Sequence, residues 1–259
     1  MRPIVAAEAR ILVTVARTSG SVPREVGAWM AVATGGVTGT VGGGHLEFDA
    51  IARSRAALAG GELAEEVRYP LGPRLGQCCG GVVWLHFERI AADEDLAARL
   101  PDVALRPLAL FGAGHVGLAI ARIARDLPLA LHWIDSRADQ FPADPPARGW
   151  RQEALDPPAD AVRDLATGSA VLIMSHSHAE DFDIVAACLK RQRDHCDLPF
   201  IGLIGSRTKW ASFRQRLEVR GFTEGERDQV VCPIGVPGVA GKQPGVIAVA
   251  ALAQILSLR

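Results

Sequence analysis

Aromatic side chains are scarce in this chain: 5% of its 259 residues, with a single tyrosine. A surface that stacks single-stranded nucleic acid needs more rings than that. An excess of charge of either sign is missing as well. Lysine and arginine number 28 against 29 acidic residues, a formal net charge of −1, so no basic field marks a binder of nucleic acid or of anionic membrane. No apolar run is long enough to span a bilayer. The first residues lack the charged, apolar and small-residue regions of a secretory signal. The five cysteines, Cys78, Cys79, Cys188, Cys196 and Cys232, are odd in number and have no disulfide-scaffold spacing. Free thiols in a reducing, cytoplasmic setting are expected. A nucleophile elbow, a Walker loop and paired-cysteine zinc spacing are also absent.

What is present is apolar bulk, 49% of the chain, enough for one large domain or two ordinary ones. The first hundred residues read as short strands: Ile11–Ala16, Trp29–Ala33, Val37–Val41 and Val82–Phe87, with Gly35-Gly36 as a hairpin turn and a helix running to Leu58. His86 falls out of step with Val83 and Leu85 and is expected on the solvent side. From Pro107 onward, strands and helices alternate, which predicts a parallel sheet with helices on both faces. The fold class is therefore α/β. A strand-rich α+β domain over 1–100 precedes a Rossmann-like, doubly wound domain over 105–259, with Pro101 and Pro107 marking the boundary.

Several stretches can carry chemistry. Gly76-Gln77-Cys78-Cys79-Gly80-Gly81 sets two adjacent thiols between glycines; one peptide is too short for a relaxed disulfide, and glycines permit close approach. The thiols serve either soft sulfur chemistry or packing. Gly42-Gly43-Gly44 before a helix is a possible anion site, with Glu47 in the first helical turn favouring the dipole. Gly112-Ala113-Gly114-His115-Val116-Gly117 follows a strand and opens a helix, and the next strand ends in Asp135, the context of a dinucleotide fingerprint. Gly112 serves the turn, Gly114 the approach of a pyrophosphate and Gly117 the packing of helix on strand. Asp135 is placed for a ribose 2′-hydroxyl, while Ser136-Arg137 could instead take a phosphate. A second strand–loop–helix opening, Gly205-Ser206-Arg207 followed by Lys209, offers an anion site or a capped helix start. Ser175-His176-Ser177-His178 with Asp181 lies past a strand end. It reads as polar lining, with Asp181 as a helix cap, or as two metal ligands short of a third.

Taken in order, these segments resemble the xanthine dehydrogenase accessory protein family of XdhC/CoxI type. The match includes Gly20-Ser21-Val22-Pro23-Arg24, Gly43-Gly44-His45-Leu46-Glu47, the Gln-Cys-Cys-Gly-Gly segment and the glycine turn at Gly112. It continues through Gly202-Leu203-Ile204-Gly205-Ser206-Arg207 and Cys232-Pro233-Ile234-Gly235. His45 stands where relatives often have a cysteine, and Gln243-Pro244-Gly245 departs from a Pro-Glu-Glu-like helix start. The resemblance implies a homodimeric carrier rather than a turnover enzyme. Such a carrier binds molybdenum cofactor, supports its sulfuration by a cysteine desulfurase and inserts it into apo-xanthine dehydrogenase. Cys78 or Cys79 would contact the molybdenum, next to Gly80. The phosphate would rest on Gly112, Gly114 and His115, or on Gly205, Ser206 and Arg207. The reading from a different class is an NAD(P)-dependent oxidoreductase using the same crevice, with a dinucleotide held by Gly112, Gly114, Gly117 and Asp135.

Overall fold

The computed structural model describes residues 8–72, 80–100, 105–143 and 149–258. The chain divides into two compact units, Met1–Val103 and Ala104–Arg259.

In the first unit, β1 (Arg10–Ser19), β2 (Trp29–Ala33), β3 (Val37–Gly39), β4 (Glu66–Pro70) and β5 (Val82–Ile90) form an antiparallel sheet in the order β3-β2-β1-β5-β4. Alternation decides its faces. Val83, Leu85 and Phe87 are buried, whereas Trp84 and His86 between them are partly exposed. The buried set joins Ile11, Val13, Met30 and Val32 beneath helix α1 (Gly44–Leu58), which contributes Leu46, Ala50 and Ala57. On the other face Leu12, Ala31 and Ile90 meet Leu96 of the short helix α2 (Leu96–Arg99). Strand β1 runs past the expected break at Thr18, because Thr18 and Ser19 still pair with Val83 and Val82 after a bulge between Val15 and Arg17. Strand β4, which the apolar pattern does not announce, completes the edge beside β5.

The second unit alternates β6 (Arg106–Phe111), α3 (His115–Ala124), β7 (Leu129–Asp135), β8 (Arg151–Ala154), β9 (Ala170–Ile173), α4 (His178–His195), β10 (Phe200–Leu203) and α5 (Arg207–Val219). It ends with α6 (Glu224–Arg227), β11 (Val230–Val231) and α7 (Pro244–Leu256). All strand pairs are parallel, in the order β11-β10-β9-β6-β7-β8. The chain winds outward from β6 through β7 and β8, then returns to β9 on β6's other flank. This is the doubly wound order of a dinucleotide-binding fold, with its switch point between β6 and β9. Strands β9 and β10 are buried along their whole length, as a sheet covered on both faces requires. Phe111, Ile173, Ile201 and Leu203 pack with Phe182 and Phe213 of α4 and α5. Leu110, Trp133 and Leu172 pack with Ile120 and Leu252 of α3 and α7. Helix α4 starts earlier than its apolar run, at His178, because Ser177 is the cap and its hydroxyl accepts the Ala179 N–H at 3.1 Å. Asp181, expected as that cap, is free for another task.

Candidate functional site

The glycine turn after β6 is built by close contacts. Gly112 has φ +119°, and a Cβ there would stand 2.2 Å from the Met174 carbonyl oxygen, so the ends of β6 and β9 abut. A Cβ on Gly117 would stand 2.0 Å from the Gly112 carbonyl oxygen, which makes Gly117 the helix-on-strand contact. Gly114 caps α3 and faces open space, with nothing within 4 Å of a Cβ, and His115 is exposed beside it. Asp135 is engaged differently from a ribose ligand. One carboxylate oxygen accepts the Ala113 N–H at 2.6 Å and Arg137 Nη2 at 3.1 Å; the other accepts Arg137 N and Nε, both at 2.9 Å. Four donors fill the four lone-pair positions of a carboxylate. Burial raises the Asp135 carboxyl, but the Arg137 guanidinium and the Ala113 and Arg137 N–H groups outweigh it and hold it below the usual range. A ribose hydroxyl would have to displace Arg137.

A second constellation lies at the ends of β9 and β10, around an open cleft of about 360 Å³. Lys209 Nζ donates to Asp181 Oδ2 at 2.6 Å and to the Ile204 carbonyl at 2.9 Å. Asp181 Oδ1 accepts both the N–H and the hydroxyl of Ser175, each at 2.8 Å. The pair is deep, with 11% of the lysine side chain and 2% of the aspartate exposed. Gly205 makes this possible: a Cβ there would stand 2.8 Å from Lys209 Cδ, so the glycine is the floor over which the lysine folds back. Ser206 caps α5, its oxygen accepting the Lys209 N–H at 3.1 Å, and Arg207 next to it is exposed. His176 and His178 line the rim. Glu180 Oε2 lies 3.2 Å from His176 Nδ1, and Glu180 Oε1 accepts the Ser136 hydroxyl at 2.8 Å. Because β6 lies between β9 and β7, the bond from Ser136, after β7, to Glu180, in α4, crosses the end of β6.

In the first unit, three sequence motifs meet. A Cβ on Gly81 would stand 2.4 Å from the Ser21 carbonyl oxygen, and one on Gly42 would stand 2.5 Å from Pro23 Cγ. The Gly81 N–H donates to Ser21 O at 3.0 Å. Among the described residues nothing lies within 4 Å of a Cβ on Gly80. The anion position of the Gly42–Gly44 turn is filled by the chain itself. Glu47 Oε2 accepts the Thr40 hydroxyl at 2.5 Å, the Gly43 N–H at 3.0 Å and the Val41 N–H at 3.1 Å. Cys78 and Cys79 lie outside the described residues. Of the remaining thiols, Cys188 is core, and burial pushes it up to about 12. Cys232 is half-buried, with Sγ 4.0 Å from the Ser206 carbonyl oxygen; burial raises it, while Lys209 draws it down.

The structure thus brings Ser206 together with Lys209, Asp181 and Ser175, and places Gly112, Gly114, His115 and Gly117 at the neighbouring turn. The pairing of Asp181 with Lys209, and of Glu180 with Ser136, was not visible in the sequence. Asp181, Lys209 and Ser136 belong to separate segments, and no local spacing joins positions 28 or 44 residues apart. Among the described residues no group of three or more His, Cys, Asp or Glu side chains could hold a metal ion. Nor is any helix among them long and apolar enough to cross a membrane.

Strand order, glycine turn and helix openings define a Rossmann domain preceded by an α+β unit. Residues 108–255 match the family described as the XdhC Rossmann domain, and residues 4–70 match the XdhC and CoxI family. The chain belongs to the XdhC family. It is 26% identical over 253 residues to an uncharacterized protein, YqeB, of Escherichia coli K12; the match covers 93% of this chain and 42% of that protein, so the chain spans less than half its relative's length. A crystal structure of a xanthine dehydrogenase from Bacillus halodurans superposes with a TM-score of 0.69 at 20% identity, covering 97% of this chain and 91% of the other, a likeness of fold.

Proposed function

We propose that this chain is an accessory protein of xanthine dehydrogenase maturation. It takes molybdenum cofactor as cargo, keeps it while a cysteine desulfurase supplies sulfide in place of an oxo ligand, and passes it to apo-xanthine dehydrogenase in the cytoplasm. The observation that carries this reading is family membership through both units at once, residues 4–70 and 108–255. Three features support it. The Gly20–Arg24, Gly42–Glu47 and Gly80-Gly81 motifs converge, and Gly80 directly follows Cys79 in sequence. Thiolates suit a soft metal. The face of Gly114, with no described atom within 4 Å of a Cβ, allows a bulky ligand close to backbone. In this reading Cys78 or Cys79 contacts the metal, and the cofactor's phosphate rests on Gly112, Gly114 and His115 or on Gly205, Ser206 and Arg207. An NAD(P)-dependent oxidoreductase is the competing reading, favoured by the strand order alone. Asp135, saturated by Ala113 and Arg137, weighs against it.

The test is molybdenum content after incubation with cofactor and desalting, with folding followed by circular dichroism. One of Cys78→Ala and Cys79→Ala is expected to abolish retention and the other to cost less, since alternate side chains of an extended segment point opposite ways. Full retention in the double variant would remove the carrier role of the segment. Saturable NADH binding without cofactor retention would favour the oxidoreductase.

A further inference from the structure

We infer that the cleft at the ends of β9 and β10 is a binding site for a phosphomonoester, held between Lys209 and His176. The cleft is large enough for a phosphate and part of its ester, at about 360 Å³. Its cation is prepared in advance. Lys209 is fixed by two hydrogen bonds, to Asp181 and to the Ile204 carbonyl, and an ammonium has three protons. The third remains for a ligand, and the rotamer freedom that a long side chain normally gives up on binding is already lost. Asp181 competes little for the ligand's own donors, because three of its four lone-pair positions are taken by Ser175 and Lys209. The aspartate also cancels the lysine charge, so recognition here comes from directed donors and not from a positive field.

His176 supplies the complementary group. Glu180 Oε2 lies 3.2 Å from Nδ1, so that nitrogen faces the carboxylate and Nε2 is the one left for a ligand. Ser136 in turn holds Glu180 at 2.8 Å. A hydrogen phosphate offers what the two residues ask for: a P–O⁻ for the Lys209 N–H and a P–OH for His176 Nε2. The Ser206 hydroxyl, whose oxygen accepts the Lys209 N–H, keeps its own proton to donate. A phosphomonoester, whose second pKa is about 6, keeps a fraction of this P–OH form near neutrality, whereas carboxylates and sulfates present no donor there at all. This assigns the phosphate to the Lys209 cleft in preference to the glycine turn, and it stands whether or not the chain carries molybdenum.

The experiment is a titration of the full chain followed by ³¹P NMR and calorimetry, with inorganic phosphate, AMP and a phosphorylated pterin as separate probes. Parent protein is expected to bind at least one ester saturably, and AMP against pterin phosphate tells which source the site prefers. His176→Ala, at a half-exposed position that is not needed for folding, is expected to weaken binding about tenfold or more, as is Lys209→Met if it folds. His195→Ala, at an exposed position at the opposite end of α4, is expected to leave phosphate binding unchanged. No saturable binding of any probe, equal binding by parent and His176→Ala, or loss of binding in a folded His195→Ala variant would each overturn the site.

Discussion

Gly114 and Gly117 stand one helical turn apart, and their missing Cβ atoms do opposite things. Adding a methyl to Gly117 drives it to 2.0 Å from a backbone oxygen, which neither side chain nor rotamer can relieve. Gly117→Ala is expected to lower stability by about 1–3 kcal/mol, as overpacking does. Gly114→Ala meets no described atom within 4 Å and is expected to cost about 0.5–1 kcal/mol, since alanine is the poorer N-cap. Urea denaturation of the two variants distinguishes a packing glycine from a vacant one. The Lys209–Asp181 pair gives a second test at this scale. Lys209→Met strands a carboxylate that is 2% exposed, and a loss of about 3–5 kcal/mol is expected. The double variant Lys209→Met, Asp181→Leu is expected to be more stable than the single one, because no charge is left unpaired. Additive losses would show that the two residues are not coupled.

Among the elements, helix α1 has its start secured by its own side chain. Burial raises the Glu47 carboxyl, but the Thr40 hydroxyl and the N–H groups of Gly43, Val41 and Gly42 outweigh it and leave it below the usual range. A carboxylate depressed in the folded state stabilises above its unfolded value, about 4.3, and that contribution fades as pH falls through the folded value. Parent protein is therefore expected to exceed Glu47→Gln in stability at pH 7, and the gap to narrow at pH 3. A gap of constant size in urea titrations at both pH values would contradict the linkage. The same elements show what a sequence discloses. Alternation in Val82–Phe87 and the runs Ala170–Ile173 and Phe200–Leu203 were legible, because a sheet buries its residues by a rule of period two or by covering both faces. The glycine turn and the Ser206 cap were legible because their partners are near in sequence. Strand β4 was not, since Glu66–Pro70 has one buried residue and takes its place from pairing with β5. The cleft was not either. His176 read as crevice lining and Lys209 as a phosphate base, and only the juxtaposition of β9 with β10 joins them. Gly42–Gly44, read as an anion site, encloses the chain's own carboxylate.

At the scale of the whole molecule, a homodimer is proposed from the family and from the two-fold habit of soluble proteins. With a chain of 27.5 kDa, light scattering is expected to return a mass of about twice that value across working concentrations. A single-chain mass throughout would dismiss the dimer. One contact has a kinetic side. The Ser136–Glu180 hydrogen bond crosses the end of β6, the place from which a pyrophosphate would reach the glycine turn. A ligand that approaches over that strand end must arrive while that bond is parted. Its observed association rate would then level off as ligand concentration rises, at the frequency with which the bond opens, whereas ligands of the Lys209 cleft would show no such ceiling. Removing the hydroxyl in Ser136→Ala would lift the plateau without adding a single contact to the ligand.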